Sequence, residues 1–550
     1  HWKILRAARW ASSANHLYGR NITSSETWTW LHSPSFRATP LDAKAEADLH
    51  FLQGINQLIG HGWPYTPESV AYPGWRLYAA AVFNEKNPWW IAMPDLAQYL
   101  QRISFMMRQG APANDVAFYL PNSDAWAGFV SPKVHYLIEA LKDRIGEDAV
   151  AQVLEAGFNL DFFDDEVLRE RGKAETGALA LGPNKYKAVI LPNVERLPLD
   201  TLQKLVAFAK QGGVVIAMRR KPASLPGRQT IEAERTQFAS LTQQLFDAEK
   251  PLAHFVAEDK QLGQALAARL TPDVKLVPAT PGVGFIHRRT AEADIYFLAN
   301  STNSRQNVTA TFRVTSGQAE IWNPMDGSAR AIQAELSAQG ASLPLQFEPY
   351  ESRLLVFTRR QLPVARASQP ATSPAPLDIS RDWRVTIGQA SKTVAQLHSW
   401  TDDTETRFYS GTASYEKEIT LPEQLLKPGQ TVVLHFGEGQ AIPVQARKNG
   451  MRAWFDGPIR EAAVVYVNGQ RAGAVWCPPY SLDVTKWLTP GVNRLRIVVG
   501  NTAINHLAGQ PLPDYKLLHQ RYGERFQPQD MENLQPLPSG LLGPIRLQVQ

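Results

Sequence analysis

The chain has 550 residues and a mass of 61.2 kDa, a length that allows about three or four domains. Hydrophobic residues make up 44% and charged residues 20%, which excludes a wholly disordered chain, and the net charge of +5 is spread too evenly for a typical nucleic-acid binder. No apolar run reaches the roughly 20 residues that span a bilayer, and the single cysteine, Cys477, excludes an intramolecular disulfide.

The first part of the chain predicts alternating helices and strands. Residues 1–17 have the pattern of a helix already under way, and residues 20–25 that of a short strand. The first residue is His1, and no charged start precedes a short apolar core, so no signal peptide is visible. We therefore expect an N-terminal segment of the molecule to lie upstream of this chain.

Two longer helices follow in the predicted order. Residues 43–59 carry leucine and isoleucine at helical spacing, with Asp42 as the expected N-cap and Gly60 as the stop. Residues 94–110 predict another amphipathic helix after a loop rich in proline. This order of elements, with a long loop before the last helix, predicts the C-terminal part of an α/β barrel of the TIM type over residues 1–112.

The next segment, residues 113–277, predicts a parallel sheet covered by helices on both faces. Apolar strands alternate with helices here, and the strand candidates are 116–120, 160–163, 187–191 and 213–217. No Gly-x-Gly-x-x-Gly motif follows any of these strands, which argues against nucleotide binding.

The helical pattern fades after about residue 278. Short strands predict a small β-sandwich over residues 278–360 and a larger one over residues 377–550. Residues 361–376 between them hold four prolines and predict an extended linker. Cleavage in this linker is expected to release a folded C-terminal domain.

Glu26 is the strongest candidate for a catalytic residue. It follows a short strand, and the carboxyl ends of barrel strands form the active-site face of α/β barrels. Glycoside hydrolysis needs two carboxyl groups, of which one donates a proton and the other attacks or activates water. A surface glutamate at the start of a loop is the alternative interpretation.

Aromatic residues cluster around this glutamate in the sequence. Eight of the 15 tryptophans lie within the first 90 residues, and aromatic rings are the usual walls of sugar-binding sites. A tryptophan-rich core would give the same composition. The predicted sugar-binding residues are Trp28, His61, Trp63, Tyr65 and Trp75.

Other polar residues are weaker candidates for catalysis or metal binding. Glu68 and Glu85 are possible second carboxylates, although a structural role is the simpler interpretation for both. Asp402, Asp403 and Glu405 offer oxygen ligands of the kind that calcium prefers, but an acidic run is more often a solvated loop. No Gly-x-Ser-x-Gly motif is present, which disfavours a lipase-type serine nucleophile.

Several stretches together resemble the α-L-rhamnosidases of glycoside hydrolase family 106. The stretches are ASSANHLYGRNITSSETWTW, FLQGINQLIGHGWPY and FNEKNPWWIAMPDLAQYLQRISFMMRQGAPANDVAFYLP. Residues 113–277 also resemble the amidotransferase-like domain of related glycosidases, and residues 377–550 resemble a galactose-binding-like jelly roll. The resemblance implies a multidomain α/β plus β protein with the C-terminal part of a catalytic barrel.

The resemblance also implies an inverting hydrolysis of terminal α-L-rhamnosides in polysaccharides or glycosides. By motif position Glu26 resembles the general base, and the general acid is expected upstream of His1. Calcium near the active site is implied, with no ligands assigned, and so is a periplasmic or secreted location. Carbohydrate is the implied partner, with neither nucleic acid binding nor membrane insertion.

Two other functions stay open at this stage. A retaining β-galactosidase-like hydrolase would use Glu26 as a nucleophile, with its partner carboxyl about 5–5.5 Å away instead of about 6.5–9.5 Å. A non-catalytic carbohydrate-binding protein would also explain the terminal jelly-roll motifs. Because the barrel is expected to be incomplete, the 550-residue chain alone is expected to show little glycosidase activity.

Overall fold

The computed structural model describes most of the chain. The described residues are 3, 7–30, 36–75, 81–129, 136–359, 375–426, 429–443, 453–511, 514, 516–523 and 534–549. Residues 361–374 of the expected linker lie outside them. Within these ranges no helix combines the length and the apolar character needed to cross a membrane.

The N-terminal segment contains two parallel strands flanked by helices. Its elements are α1 (Ala7–Leu17), β1 (Ser24–Thr27), α2 (Pro40–Phe51), β2 (Gln57–Gly60), α3 (Met93–Met106) and β3 (Ala111–Pro112). β1 and β2 form a two-stranded sheet in which Glu26 lies opposite Ile59 and Thr27 opposite Gly60. The carboxyl ends of both strands therefore meet at the same edge.

The predicted helix over residues 43–59 is wrong in its second half. α2 ends at Phe51, and residues 57–60 form β2. Gly54, with φ of +86°, turns the chain between them in a conformation that glycine adopts without strain. Leucine and isoleucine suit a helix face and a short strand equally well, which explains the error. The N-cap is Thr39, and Asp42 instead completes its capping box from the third helical position.

The second segment forms a five-stranded parallel sheet, with its strands in the order β11 (His254–Val256), β10 (Val214–Met218), β9 (Ala188–Pro192), β4 (Val116–Tyr119) and β5 (Leu160–Phe163). β4 and β9 are buried along their whole length, because helices cover both faces of the sheet. A small antiparallel sheet of β6, β7 and β8 lies beside it. The elements are β4 (Val116–Tyr119), α4 (Asn122–Ala127), α5 (Leu137–Ile145), α6 (Glu147–Glu155), β5 (Leu160–Phe163), α7 (Asp165–Arg171), β6 (Gly172–Glu175), β7 (Ala178–Leu181), β8 (Asn184–Tyr186), β9 (Ala188–Pro192), α8 (Leu199–Lys210), β10 (Val214–Met218), α9 (Glu232–Phe246), β11 (His254–Val256) and α10 (Leu262–Ala267).

The third segment is a β-sandwich whose two antiparallel sheets share one hydrophobic core. Its strands are β12 (Val274–Val277), β13 (Val283–Arg289), β14 (Ala293–Asn300), β15 (Gln306–Phe312), β16 (Gln318–Trp322), β17 (Ala329–Ile332), β18 (Glu335–Ser337), β19 (Gly340–Phe347) and β20 (Ser352–Thr358). β3 pairs with β13, and β12 pairs with β15. Both strands thus join the sandwich from beyond its expected boundary at residue 278.

The C-terminal segment is a second β-sandwich, built on a four-stranded and a six-stranded sheet. Its elements are β21 (Leu377–Asp378), β22 (Trp383–Ile387), β23 (Ala390–Val394), β24 (Thr412–Leu421), β25 (Val432–His435), β26 (Gln440–Ala441), β27 (Phe455–Asp456), β28 (Ile459–Arg460), β29 (Ala462–Val467), β30 (Gln470–Val475), β31 (Ser481–Asp483), β32 (Gly491–Gly500), α11 (Ile504–Ala508), α12 (Lys516–Tyr522), β33 (Gly540–Leu541) and β34 (Arg546–Val549).

A buried polar network joins the N-terminal segment to the first sandwich. Lys44 on α2 donates from Nζ to Asp48 Oδ2 at 2.7 Å, to the Tyr350 carbonyl at 2.6 Å and to Ser352 Oγ at 3.0 Å. The Tyr99 hydroxyl on α3 donates to Asp48 as well. Since a buried charge is tolerated only when it is paired and hydrogen-bonded, this network fixes how α2 and α3 sit on β20.

Candidate active site

Glu26 occupies the third position of the four-residue strand β1, at its carboxyl end. Ser25 and Thr27, its neighbours in the strand, point to the opposite face, because side chains alternate along a strand. The Glu26 side chain is 63% exposed, whereas Thr27 is buried. The strand thus presents one carboxylate to solvent at the edge where functional groups of parallel sheets gather.

His61 is the first residue after β2 and lies beside Glu26. Its backbone N–H donates to the Thr27 carbonyl at 2.8 Å, which continues the parallel pairing beyond the strand. Its Nδ1 atom lies 4.0 Å from Glu26 Oε1. The structure therefore brings together two of the site residues that the sequence indicated, a carboxylate and an imidazole, at neighbouring strand ends.

Thr29 also contacts the Glu26 carboxylate, and sequence reasoning missed it. Its hydroxyl donates to Glu26 Oε1. The available signal was its position three residues after Glu26 in the same motif, since a hydroxyl just beyond a strand end can bend back to the strand.

The aromatic candidates divide into exposed and buried groups. Trp63, Tyr65 and Trp75 are exposed, and Trp63 at 65% offers a broad apolar ring to solvent. Trp28 is only 5% exposed, donates its indole N–H to the Ala43 carbonyl at 3.1 Å and packs against the Phe83 ring. The structure gives Trp28 a packing role, and its contact with sugar stays a prediction.

Several contacts hold the loop between β2 and α3 in place. The Gly62 carbonyl accepts from the Phe83 N–H at 3.2 Å, and the Trp63 and Trp90 rings meet edge to face at 5.2 Å. The Tyr72 hydroxyl donates to the Lys86 carbonyl at 2.9 Å. Burial raises the pKa of Tyr72, so this hydroxyl keeps its proton.

The C-terminal sandwich also contacts this loop. The Tyr72 ring packs edge to face on His506 at 5.1 Å. The backbone N–H of Trp89 donates to the Asn501 carbonyl at 2.9 Å. An aromatic loop that is exposed on one side and braced on the other is suited to receive a sugar without rearranging.

Comparison with known proteins identifies the family. The family model described as alpha-L-rhamnosidase, glycoside hydrolase 106, matches residues 4–336. The chain belongs to glycoside hydrolase family 106. The resemblance seen in the sequence is thereby confirmed.

The proteins similar to this family member include the following two. A curated protein of Formosa agariphila, provisionally named as a beta-glucuronidase, is 27% identical over 354 residues, which cover 64% of this chain and 28% of that protein. The structure of a rhamnosidase from Novosphingobium sp. PP1Y matches with a TM-score of 0.77 and 24% identity, over 99% of this chain and 49% of that one. The second match shows a shared multidomain α/β plus β fold, and this chain spans less than half the length of either relative.

The acidic residues of the C-terminal sandwich do not fit a calcium site. The Asp403 carboxylate accepts from Lys392 Nζ at 2.8 Å, and His398 Nε2 lies 3.1 Å from the same oxygen. The hydrogen bond from Lys392 lowers the pKa of Asp403. Asp402 accepts from the Ser399 N–H in the capping box of the short helix Trp400–Asp402. Within the described residues no group of three or more His, Cys, Asp or Glu side chains could hold a metal.

Two candidate carboxylates and the single cysteine remain. Glu85 forms an ion pair with Lys86 at 3.9 Å. In the described part of the chain, no hydrogen bond or ion pair joins Glu68 or Glu85 to Glu26. Cys477 is buried, and burial raises the pKa of its thiol to about 12, which rules it out as a thiolate nucleophile.

Proposed function

We propose that this family member is a glycoside hydrolase that removes terminal α-L-rhamnosyl groups with inversion of configuration. The observation that carries the proposal is the exposed Glu26 carboxylate at the carboxyl end of β1, beside His61 at the end of β2. The family match supports the rhamnoside as substrate. Polysaccharides or glycosides are the proposed sources of that group.

Glu26 acts as the general base in this proposal. It takes a proton from water as the water oxygen bonds to the anomeric carbon and the glycosidic bond breaks. The leaving oxygen takes its proton from a second carboxylic acid, as inverting glycosidases require. Glu26 is well exposed and so can receive a water molecule, while His61 is close enough to share a sugar hydroxyl with it.

The exposed aromatic residues bind the sugar ring in this proposal. The C–H face of a pyranose packs on an aromatic ring, and Trp63, Tyr65 and Trp75 offer such faces on one loop. Hydroxyl groups of the sugar would bond to His61. The bracing of this loop by the C-terminal sandwich supports a role for that sandwich in substrate binding.

We further propose that β1 and β2 belong to an α/β barrel completed by polypeptide outside these 550 residues. Within the described residues each of the two strands pairs only with the other, so each has a free edge. Eight strands close a barrel of this type, and the free edges of β1 and β2 are where its further strands would pair. The general acid would lie on that additional polypeptide. We expect the 550-residue chain alone to hydrolyse rhamnosides poorly.

The family also supports a periplasmic or secreted location, where polymeric substrates are accessible. Fractionation of the source cells with an antibody against this chain tests this. Detection only in the cytoplasmic fraction would contradict it.

The stereochemistry of the product tests the proposed reaction. The full natural polypeptide that contains this chain is incubated with an aryl α-L-rhamnoside, and the first sugar released is followed by proton NMR. We expect β-L-rhamnose to appear before mutarotation produces the α anomer. Initial release of α-L-rhamnose would indicate a retaining enzyme, and binding of the rhamnoside without turnover would indicate a carbohydrate-binding protein.

A further inference from the structure

An anchored turn carries Thr29 back toward β1. Trp28 adopts a left-handed backbone conformation with φ of +67°, and the backbone N–H of Trp30 donates to the Trp28 carbonyl at 2.9 Å. The Trp28 indole is held by the Ala43 carbonyl, and its ring packs on Phe83 with centroids 4.8 Å apart. A non-glycine residue keeps such a conformation only where its surroundings impose it. The position of Thr29 is therefore set before any substrate binds.

The Thr29 hydroxyl makes the two carboxylate oxygens of Glu26 unequal. Thr29 Oγ1 donates to Oε1, and His61 Nδ1 faces the same oxygen at 4.0 Å. Across the described residues, no side chain or backbone group donates to Oε2. A carboxylate held at one oxygen offers the other in a fixed direction.

We infer that Thr29 is a positioning residue for Glu26, which fixes the carboxylate so that Oε2 receives the proton of the attacking water. The inference rests on the proposed function, because it assigns a task to the base of that reaction. Oriented groups contribute to catalysis by avoiding rearrangement in the transition state. Threonine suits the task because its branched Cβ restricts χ1 and keeps the hydroxyl in one direction.

Two substitutions at this position separate the hydroxyl from the shape of the side chain. Thr29→Val keeps the branched shape and removes the donor, whereas Thr29→Ser keeps the donor. In the full natural polypeptide we expect Thr29→Val to lower kcat about 10-fold with KM unchanged, as the loss of one hydrogen bond to a charged group predicts. Thr29→Ser should stay within about threefold of the wild-type kcat.

Thr27→Val is the matched control. It makes the same chemical change two residues earlier, on the face of β1 opposite Glu26. Among the described residues, the Thr27 hydroxyl donates to the Ser25 carbonyl at 3.1 Å and to no other group. We expect its kcat to stay within about twofold of wild type. Melting temperatures of all three variants show whether any loss of turnover follows a loss of folding.

The outcomes distinguish this inference from the function on which it rests. Wild-type kcat in Thr29→Val, or a loss that Thr29→Ser does not restore, overturns the positioning role of Thr29. A rise in KM with unchanged kcat overturns it too, because that would be a substrate-binding role. If Glu26→Gln in the same polypeptide is fully active, the proposed function fails, and the role of Thr29 fails with it.

Discussion

His61 Nδ1 lies 4.0 Å from Glu26 Oε1, although Glu26 belongs to β1 and His61 follows β2. The parallel pairing of β1 and β2 explains the approach, since Thr27 pairs with Gly60 and the chain leaves β2 directly at His61. A hydrogen-bonding imidazole and a carboxylate thus face the same space. Under the proposed function, Glu26 activates water in this space and His61 binds a sugar hydroxyl there.

We predict that Trp63→Ala weakens sugar binding without disturbing the fold. The ring is 65% exposed, so its removal costs little core packing, whereas the loss of one aromatic platform should raise the Kd for a rhamnoside about 10-fold. Isothermal titration calorimetry measures the change. Trp126→Ala is the control, because Trp126 is 56% exposed on α4, in another segment. Equal affinities of the Trp63 variant and wild type would contradict the prediction.

We predict that the buried His287 makes stability depend on pH. His287 Nδ1 lies 2.8 Å from Asp273 Oδ2, and His287 Nε2 lies 2.9 Å from Asp294 Oδ1. Burial alone would lower the pKa of His287, but the two carboxylates outweigh it, so the pKa is raised. Burial alone would raise the pKa of both aspartates, but His287 and the neighbouring Arg313 and Arg289 outweigh it, so both pKa values are lowered. Arg313 and Tyr296 also face Asp273.

The signs of these shifts define the pH window. The contribution of His287 is complete below its unfolded pKa of about 6.5 and is lost as the pH rises through the higher folded value. The contribution of the aspartates is complete above about 4 and is lost as the pH falls through their lower folded values. Stability from this cluster should therefore be greatest between about pH 4 and 6.5.

Thermal melting against pH checks this prediction with His287→Gln. The variant should be less stable by about 3 kcal/mol near pH 5.5, because it leaves buried carboxylates without one partner. The difference in stability between the variant and the wild type should become smaller as the pH rises. His398→Gln is the control, since His398 is partly exposed at its pair with Asp403 and should change stability by less than about 1 kcal/mol. A constant difference across the pH range would contradict the prediction.

The C-terminal sandwich should stay bound when the chain is divided. Its Ala453 N–H donates to Asp42 Oδ1 at 2.9 Å, and its Trp454 N–H donates to the Tyr350 hydroxyl at 2.9 Å. Trp476 is fully buried and meets the Tyr99 ring edge to face at 6.1 Å. The expectation that cleavage in the linker releases this domain considered only the sandwich's own core. With these contacts, we predict instead that the domain stays bound under native conditions.

Coexpression of residues 1–359 and 375–550 as separate chains tests the interface. We expect the two chains to copurify. Trp476→Ala should weaken the association by at least 10-fold, because large buried aromatic residues dominate such interfaces. Arg494→Ala is the control, since Arg494 pairs with Glu418 on the surface of the sandwich. Separation of the unmodified chains on a gel-filtration column would contradict the prediction.

The sequence predicted the elements better than the contacts between them. Alternation of apolar runs and turn residues located the strands around Val189 and Leu298, because short buried strands have a distinct composition. It misplaced β2, where leucine and isoleucine suit either structure. It also could not separate the buried Trp28 from the exposed Trp63, because burial depends on which distant segments cover each ring.

In the candidate site, too, single residues could be predicted from the sequence more easily than the contacts between them. Glu26 could be found from its place near the end of a short strand, although β1 begins later than expected and includes it. His61 could be found from its aromatic neighbours in a loop. Their approach depends on strand register, which the local sequence does not specify. The buried Lys44 was beyond sequence reasoning, since its partners Tyr350 and Ser352 come from a different segment.

The turnover of Glu26→Gln in the full natural polypeptide tests the central claim most directly. The substitution keeps the size of the side chain and removes the base, so kcat on an aryl α-L-rhamnoside should fall by about 10²–10⁴ with little change in substrate affinity or melting temperature. Glu85→Gln makes the same change at an exposed glutamate paired with Lys86, and it should retain wild-type turnover. If Glu26→Gln keeps more than about a third of the wild-type kcat, Glu26 is not the general base.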